Sequence, residues 1–378
     1  MAPSINLDLA HVPELPEHRS AAIGVIGAGF IVADILLVAY RDAGFNVQAI
    51  ASRTPDRAEA AANAHGIPKT HRTWQELIED ESIEVLDVAF PPDQQPEIIA
   101  AAAKRPHIKG ILAQKPLAGD YASALRAVEA CDGGPLLAVN QNMRFDQSMR
   151  AVKTLLDRGA LGEPVLATIE MRAIPHWQAF LEGTDRLTLQ NMSIHHIDVM
   201  RHLFGDPEGI YVSARKDPRT RFDHVDGICL YVMEWQDGMR ASVCDDVWTG
   251  PVREGGDGDI YIKWRIEGTE GVAWGEIGWP SYPERRPSTL KFTSTTQPGY
   301  VFEPRWPEVW LPNAFQGTMG ELLGALQGGE LTINGRDNLG TMALVEAGYR
   351  SLAEKRFVRV DEITGGPVAA AAAAPAAS

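Results

Sequence analysis

The sequence predicts two domains of different class: an α/β domain with a doubly wound parallel sheet, followed by an α+β domain with a large, mostly antiparallel open sheet. Between about residues 21 and 140, short apolar runs alternate with helical segments, as in a parallel sheet covered by helices. Farther on, the β-rich runs are longer, and Asp237-Gly238 between two of them is a strong hairpin signal. We predict domains at 20–143 and 144–365, with flexible termini at 1–19 and 366–378.

Apolar runs define the predicted strands. In the first domain they are Ala21–Ile26, Val47–Ser52, Val85–Phe90, Gly110–Gln114 and Leu136–Asn140. In the second they are Val165–Ile174, Ile210–Arg215, Ile228–Trp235, Met239–Asp245, Ile260–Glu267 and Val272–Glu276. Predicted helices include Gln95–Lys104, Met149–Arg158, Ala314–Leu326 and Asp337–Ala353.

Composition narrows the classes of function. The 378 residues carry a formal net charge of -15, which repels nucleic acid, and no run approaches membrane-spanning length. We therefore expect a cytoplasmic protein with neither a nucleic-acid nor a membrane partner. Its three cysteines, Cys131, Cys229 and Cys244, form no C-x-x-C pair, so we expect no metal site.

The glycine-rich turn Gly24–Gly29 follows an apolar run and precedes a helical one. Gly27 and Gly29 would let the backbone approach a pyrophosphate, and the helix N-terminus would supply unpaired N–H groups. The second strand follows about 20 residues on, as dinucleotide folds require. The turn therefore predicts a Rossmann domain that binds a nicotinamide cofactor.

The end of the second strand bears on which nicotinamide cofactor is bound. NAD enzymes usually place an acidic residue there, but this chain has Ser52 and Arg53, with Arg57 nearby. A guanidinium and hydroxyls suit a 2′-phosphate, so we predict NADP with NAD possible. Alternatively, Arg53 stacks on adenine and leaves both cofactors usable. The remaining predicted cofactor contacts are Phe30, Ile31, Pro91, Pro92, Gln114, Lys115, Pro116 and Asn142.

Lys115 is the first candidate for chemistry. It follows a predicted strand at the carboxyl edge of the sheet, where open α/β sheets bind ligands. Its ammonium could stabilise the alkoxide that develops when hydride leaves a carbon bearing a hydroxyl. The alternative is a solvated lysine at a strand end.

The second candidate is His195, on a predicted helix. At about 100° per residue, Asn191, His195, Asp198 and His202 share one face. A histidine can take a hydroxyl proton near neutral pH. Equally, the polar stripe could only form hydrogen bonds within the fold.

Substrate contacts are predicted from donors and aromatic side chains near strand or linker ends. A structural role is an equal alternative for each. The candidates are Arg144, Arg172, His176, Trp177, His195 and His196.

The segments GVIGAGF, AQKPLA, NQNMRFD, DRGALGEP, SIHHIDVMRHLFG and IEGTEG resemble the Gfo/Idh/MocA oxidoreductases over most of the chain. The resemblance implies dehydrogenases or reductases that act on CH–OH groups of sugars or cyclitols with NAD or NADP, as homodimers or homotetramers. The family's catalytic set maps onto Lys115, Pro116 and His195, and Asn191 occupies a further catalytic position. Gln114 replaces the glutamate that commonly precedes Lys-Pro, and Asn191 replaces the family aspartate.

Asn191 leaves alternatives to a simple dehydrogenase open. An amide cannot accept a proton, so His195 could instead use Asp198 or a water. The chain could also be a non-catalytic sensor that binds NAD(P). A further alternative is a redox-neutral enzyme that processes glycosides with a tightly held cofactor.

Overall fold

The computed structural model describes residues 7–173, 179–220, 222–247, 258–278 and 285–366. Contacts group these residues into two units. The first unit contains Pro13–Asn142 and Pro312–Met342, and the second contains residues 7–12, 143–311 and 343–366.

A six-stranded parallel sheet forms the first unit, with strand order β3-β2-β1-β4-β5-β6. The strands are β1 (Ile23–Ile26), β2 (Val47–Ala51), β3 (Lys69–His71), β4 (Val85–Val88), β5 (Gly110–Ala113) and β6 (Leu136–Val139). This arrangement confirms the predicted fold class of the first domain. The sequence missed β3 because Lys-Thr-His has no apolar pattern at this exposed sheet edge.

Both units also contain helices. They are α1 (Leu37–Ala43), α2 (Pro55–His65), α3 (Trp74–Ile78), α4 (Gln95–Ala102), α5 (Tyr121–Glu129), α6 (Gln147–Asp157), α7 (Ile194–Phe204), α8 (Phe315–Ala325), α9 (Gly335–Glu354) and α10 (Asp361–Thr364). π-Helical turns at Ile31–Leu36 and Leu189–Ser193 lead into α1 and α7.

Helix α8 departs from the predicted division of the chain. The sequence places it in the second domain, whereas its contacts place it in the first unit. Gly110 of β5 explains this packing, because a Cβ there would lie 3.2 Å from a methyl carbon of Leu322. The glycine leaves the room that the Leu322 side chain fills.

An eight-stranded sheet forms the second unit, with strand order β13-β12-β11-β7-β10-β9-β8-β14. Its strands are β7 (Pro164–Arg172), β8 (Gly209–Arg215), β9 (Ile228–Glu234), β10 (Arg240–Asp246), β11 (Tyr261–Gly268), β12 (Gly271–Glu276), β13 (Thr289–Ser294) and β14 (Val358–Arg359). Among the strands that the structure describes in this sheet, only β7 and β10 pair in parallel, so the predicted mostly antiparallel sheet is confirmed. The predicted hairpin joins β9 to β10, with Gly238 at φ +101°.

One face of this second sheet is open. Along β9, Tyr231 is buried, whereas Leu230 and Val232 are 46% and 37% exposed. Tyr211 on β8 is 42% exposed. The strands therefore bury one apolar face and leave apolar side chains on the other.

Residues 7–19 make some contacts with the rest of the chain, where the sequence predicts a flexible terminus. In the second unit, Leu9 is buried and its carbonyl accepts a hydrogen bond from the Thr154 hydroxyl at 2.8 Å. In the first unit, Arg19 donates to the carbonyl of Ala43 at 2.7 Å. These contacts are long-range, which explains why local sequence did not reveal them.

Candidate active site

The glycine turn at the carboxyl end of β1 has a backbone conformation that requires glycine at one position and leaves open space at another. Gly27 has φ +125°, and a Cβ there would lie 2.4 Å from the carbonyl oxygen of Ala89. A Cβ at Gly29 would meet no atom within 4 Å. Gly27 is thus required by the fold, while Gly29 keeps the approach to the helix N-terminus open. The predicted contacts Phe30 and Ile31 follow directly, at the start of the π-helical turn.

A cavity of about 270 Å³ lies beside this turn at the end of β2. Its lining residues are Ile26, Ala51, Ser52, Arg53, Arg72, Thr73, Trp74, Gln75 and Phe90. The guanidinium of Arg53 lies over the Phe90 ring, 5.2 Å from its centroid. Arg57 is exposed on α2 and does not line the cavity.

The lining of this cavity combines two guanidinium groups with hydroxyls and an amide, and it contains no carboxylate. Arg72 supplies the second guanidinium, which the sequence reasoning missed. The signal was its position directly after β3, a strand that was itself not predicted. Guanidinium groups bind phosphate oxygens strongly, so the lining offers donors of the kind that suit an anion.

Pro91 and Pro92 follow β4 at the same edge of the sheet. The carbonyl of Pro91 accepts hydrogen bonds from the backbone N–H groups of Gln94 and Gln95, at 2.9 and 3.2 Å, where α4 begins. The two prolines thus fix the turn from strand to helix. Their contact with the cofactor stays a prediction.

Lys115 follows β5 in a backbone segment that one side chain holds from both sides. The Gln95 amide nitrogen donates to the carbonyls of Gln114, at 3.0 Å, and of Pro116, at 2.8 Å. Its amide oxygen accepts from the backbone N–H of Gln114 at 3.0 Å. Lys115 is half-buried, and burial lowers the pKa of its ammonium to about 8. Lys115 is therefore mostly protonated at neutral pH and releases its proton more readily than an exposed lysine.

A buried carboxylate lies behind this segment. Asp87 of β4 accepts hydrogen bonds from the Tyr40 hydroxyl at 2.6 Å and from the Gln114 side-chain amide at 3.2 Å. The Gln114 amide oxygen in turn accepts from Asn140 at 3.1 Å. Burial raises the pKa of Asp87 to about 6, against the two hydrogen bonds, which lower it. An acid within an otherwise apolar strand was the missed signal.

Asn142 lies just after β6 and is buried. Its side-chain nitrogen donates to the carbonyl of Asn140 at 3.3 Å. The amide therefore takes part in the turn that follows the strand, and its predicted contact with the cofactor stays a prediction.

In the second unit, His195 lies in the first turn of α7 and is 5% exposed. Its ring meets the buried Trp310 edge to face, with centroids 6.0 Å apart and planes at 87°. Asn191 lies in the π-helical turn before α7 and is half-buried. Asn191 therefore lies four residues before His195 in a turn of π-helical geometry, and the face that it is expected to share with His195 stays a prediction.

Asp226, which the sequence reasoning also missed, holds the chain leading into that turn. Its carboxylate accepts from the backbone N–H groups of Leu187 and Leu189, at 2.8 and 2.7 Å, and from the Tyr349 hydroxyl at 2.8 Å. The two N–H groups belong to residues just before the helix, where backbone donors lack helical partners.

Asp198, which the sequence offers as a partner of His195, is in contact with Arg144 in the structure. It pairs with Arg144 through two hydrogen bonds, at 2.6 Å to the Nε and 2.7 Å to Nη2 of the guanidinium. Both side chains are buried, so this is an internal ion pair of the second unit. A substrate contact by Arg144 would have to coexist with that pair.

His196 also has an internal partner. Its Nδ1 lies 3.0 Å from the carboxylate of Asp245, which also accepts from the Ser193 hydroxyl, and the ring is 1% exposed. Its predicted contact with substrate stays a prediction. Its polarity serves a buried hydrogen-bonded cluster beneath the second sheet.

Arg172 ends β7 and remains half-buried at the edge of the described chain. Its guanidinium pairs with Glu170 at 2.8 Å and donates to the carbonyl of Met171 at 3.0 Å. Whether it contacts substrate stays a prediction. His176 and Trp177, two other predicted contacts, lie outside the described residues.

Within the described residues, no group of three or more His, Cys, Asp or Glu side chains is arranged to hold a metal ion. Nor does that part of the chain contain a helix long and apolar enough to cross a membrane.

Comparisons with known proteins identify the family. A family model described as "Oxidoreductase family, NAD-binding Rossmann fold" matches residues 21–140, and a "GFO/IDH/MocA C-terminal domain" model matches residues 149–274. D-apiose dehydrogenase of Rhizobium rhizogenes is 26% identical over 356 residues, covering 89% of this chain and 96% of that protein. Inositol 2-dehydrogenase of Ralstonia nicotianae is 29% identical over 230 residues, covering 58% and 66% of the two chains.

A solved structure shares the fold. It is an oxidoreductase of Agrobacterium radiobacter in complex with NAD⁺, L-tartaric acid and magnesium, with a TM-score of 0.78 and 24% identity. The match covers 91% of this chain and 99% of that one. With both family models matched over the greater part of its length, the chain belongs to the Gfo/Idh/MocA family of oxidoreductases.

Proposed function

We propose that this oxidoreductase uses NADP to transfer a hydride to or from a carbon that bears a secondary hydroxyl or keto group in a sugar, cyclitol or glycoside. Relatives named for a sugar and a cyclitol support this substrate class. The observation that carries the proposal is the position of Lys115. It lies at the same edge of the sheet as the glycine turn, and burial lowers its pKa to about 8.

The cofactor preference rests on the cavity at the end of β2. Arg53 and Arg72 would hold a 2′-phosphate there, assisted by the Ser52 hydroxyl. The ribose 2′-hydroxyl of NAD would find no carboxylate acceptor among the lining side chains. These contacts favour NADP and leave NAD as the weaker ligand.

Lys115 is proposed to donate a hydrogen bond to the substrate oxygen. As the oxygen loses its proton, the ammonium stabilises the developing negative charge. The half-buried surroundings strengthen this interaction, because fewer water molecules screen it. The bound cofactor supplies the hydride acceptor or donor.

His195 is proposed to accept the hydroxyl proton. Its ring is held by contact with Trp310. Asn191 offers an uncharged amide where the family has an aspartate, so it cannot stabilise the imidazolium by charge. This residue is also the observation that favours the second candidate, a sensor that binds NADP(H) without turnover.

Assembly and domain roles complete the proposal. The exposed Tyr211, Leu230 and Val232 on the open sheet face support a homodimer or homotetramer. We assign cofactor binding to residues 20–143, and substrate binding and assembly to residues 144–365. The three free cysteines fit a reducing, cytoplasmic location.

A turnover screen tests this function. Purified protein, first examined for bound cofactor by absorbance, is offered NADP⁺ with a panel of sugars, cyclitols and glycosides. We expect substrate-dependent NADPH formation by the parent, reduced about 100-fold in His195→Ala. NADPH binding without turnover of any compound would favour the sensor, and parental turnover by His195→Ala would remove the proton-acceptor role.

A further inference from the structure

The Asp87 network comprises Tyr40, Asp87, Gln95, Gln114 and Asn140, all in the first unit. Asp87 pairs with Leu112 in the parallel register of β4 and β5, and Gln114 lies two residues beyond Leu112. Because side chains alternate along a strand, Asp87, Leu112 and Gln114 share one face of the sheet. The network therefore connects β4 to the segment that carries Lys115.

The hydrogen bonds of this network run in one direction. A carboxylate only accepts, so the Gln114 amide must present its nitrogen to Asp87. Its oxygen then faces Asn140, which must present its own nitrogen. The Tyr40 hydroxyl donates to the other carboxylate oxygen. The negative charge at Asp87 thus fixes the orientation of the side-chain amides of Gln114 and Asn140.

A second acid would be unfavourable at neutral pH, because one of the two carboxyl groups would have to stay protonated. A glutamate at position 114 would bring its carboxylate against that of Asp87, and two carboxylates sharing a buried site cannot both ionise. If position 87 instead carried an asparagine, its nitrogen could donate to a glutamate at 114, and its oxygen could accept from Tyr40. Asn140 would still donate to residue 114. The network accommodates one acid at either position.

We propose that Asp87 is a positioning residue for Lys115, and that positions 87 and 114 share a single buried carboxylate that holds the Gln114–Pro116 segment in place. The proposal rests on the proposed function of Lys115 in hydride transfer. Gln95 fixes the backbone on both sides of the lysine, and Asp87 fixes the side chain of the residue before it.

The raised pKa of Asp87 supports a role beyond stability. Its folded-state pKa of about 6 exceeds the ordinary value, so its contribution to stability is present at low pH and is lost as pH rises through about 6. The ionised carboxylate is therefore a stability cost near neutral pH. A purely structural acid would be expected to stabilise the fold in that range.

The test is a charge-exchange cycle of Asp87→Asn, Gln114→Glu and the double variant, with Asp120→Asn as control. Asp120 is the exposed cap of α5, where asparagine caps equally well, so the control should match the parent. We expect Asp87→Asn to lower kcat about 10-fold with KM changed less than about 3-fold and with no loss of Tm. Gln114→Glu should lower both kcat and Tm, and the double variant should recover most of both losses.

A second readout needs no turnover. Acetylation of Lys115 by acetic anhydride, measured by mass spectrometry against Lys109, reports how accessible and how basic its amine is, and both depend on where the segment holds it. We expect Asp87→Asn to change the Lys115 labelling rate about 3-fold or more and the double variant to restore it.

The outcomes separate the two proposals. A parent that binds NADPH but turns over no compound contradicts the proposed function, and the labelling and Tm cycles then decide this inference alone. Parental kcat and labelling in Asp87→Asn would overturn the inference. Losses in the double variant equal to the product of the single losses would also overturn it.

Discussion

Polar side chains at the carboxyl edge of the first sheet and polar side chains on α7 look similar in the sequence but have different partners. At the sheet edge, Lys115 is held by backbone contacts around it, and Ser52 and Arg53 line a cavity. On α7, Asp198 is engaged by Arg144, and His196 by Asp245. The carboxyl ends of parallel strands form the edge at which α/β sheets bind ligands. The polar side chains of a buried helix can instead find their hydrogen-bond partners within the fold.

The largest expected effect comes from the α7 region and is on stability. Arg144→Met leaves the Asp198 carboxylate buried without its partner, so the free energy of unfolding should fall by about 3–5 kcal/mol. Urea unfolding measures it. Arg265→Met, which removes an exposed pair with Glu267, is the control and should cost less than about 1 kcal/mol.

A second change at this ion pair separates a structural role from substrate binding. Addition of Asp198→Leu to Arg144→Met should recover much of the lost stability, because no unpaired charge then remains. If Arg144→Met instead keeps parental stability but raises KM for the substrate, Arg144 binds substrate as the sequence predicts.

Lys115→Met should act on catalysis and leave folding intact. Removal of one donor to a developing oxyanion lowers kcat about 100- to 1,000-fold. Since the ammonium is only half-buried and its pKa is lowered by burial, the methionine should not lower Tm. Lys109→Met, an exposed lysine near the start of β5, serves as the control in both kcat and Tm assays. Near-parental kcat in Lys115→Met would contradict the proposed role of the lysine in the reaction.

The smallest effect is a pH dependence. The Lys115 ammonium loses its proton as pH rises through about 8, so kcat/KM should fall about 10-fold per pH unit above that value. In Lys115→Arg the guanidinium stays protonated, and whatever activity remains should lose this basic limb. If kcat/KM of that variant still falls above about pH 8, the fall is caused by a group other than Lys115.

Much of the fold could be predicted, because the spacing of apolar residues along the chain indicates which positions are buried. Strands β1, β2 and β4 to β6 end within two residues of their predicted ends. β3 could not be predicted, because its exposed Lys69–His71 carries no apolar alternation. The assignment of α8 to the first unit depends on a long-range contact with Gly110, which no local pattern encodes.

The candidate site could be predicted where backbone geometry dictates residue type. The glycine-rich turn singled out Gly27, and in the structure a side chain there would collide with Ala89. Arg72 and Asp87 were missed, since each acts through contacts between different strands. The partners of Asp198 and His196 were equally hidden, because helix periodicity gives the face of a side chain but not its neighbour.

Binding of NADP at the carboxyl edge of the first sheet is tested by a fluorescence titration of the parent, Arg53→Glu and Arg72→Gln with NADPH and NADH. We predict a Kd for NADPH at least about 10-fold below that for NADH, with both variants losing this preference and Arg53→Glu shifting toward NADH. Arg57→Gln, which changes an arginine outside the cavity, should keep it. Failure of the parent to bind either nucleotide would contradict a cofactor site at this edge.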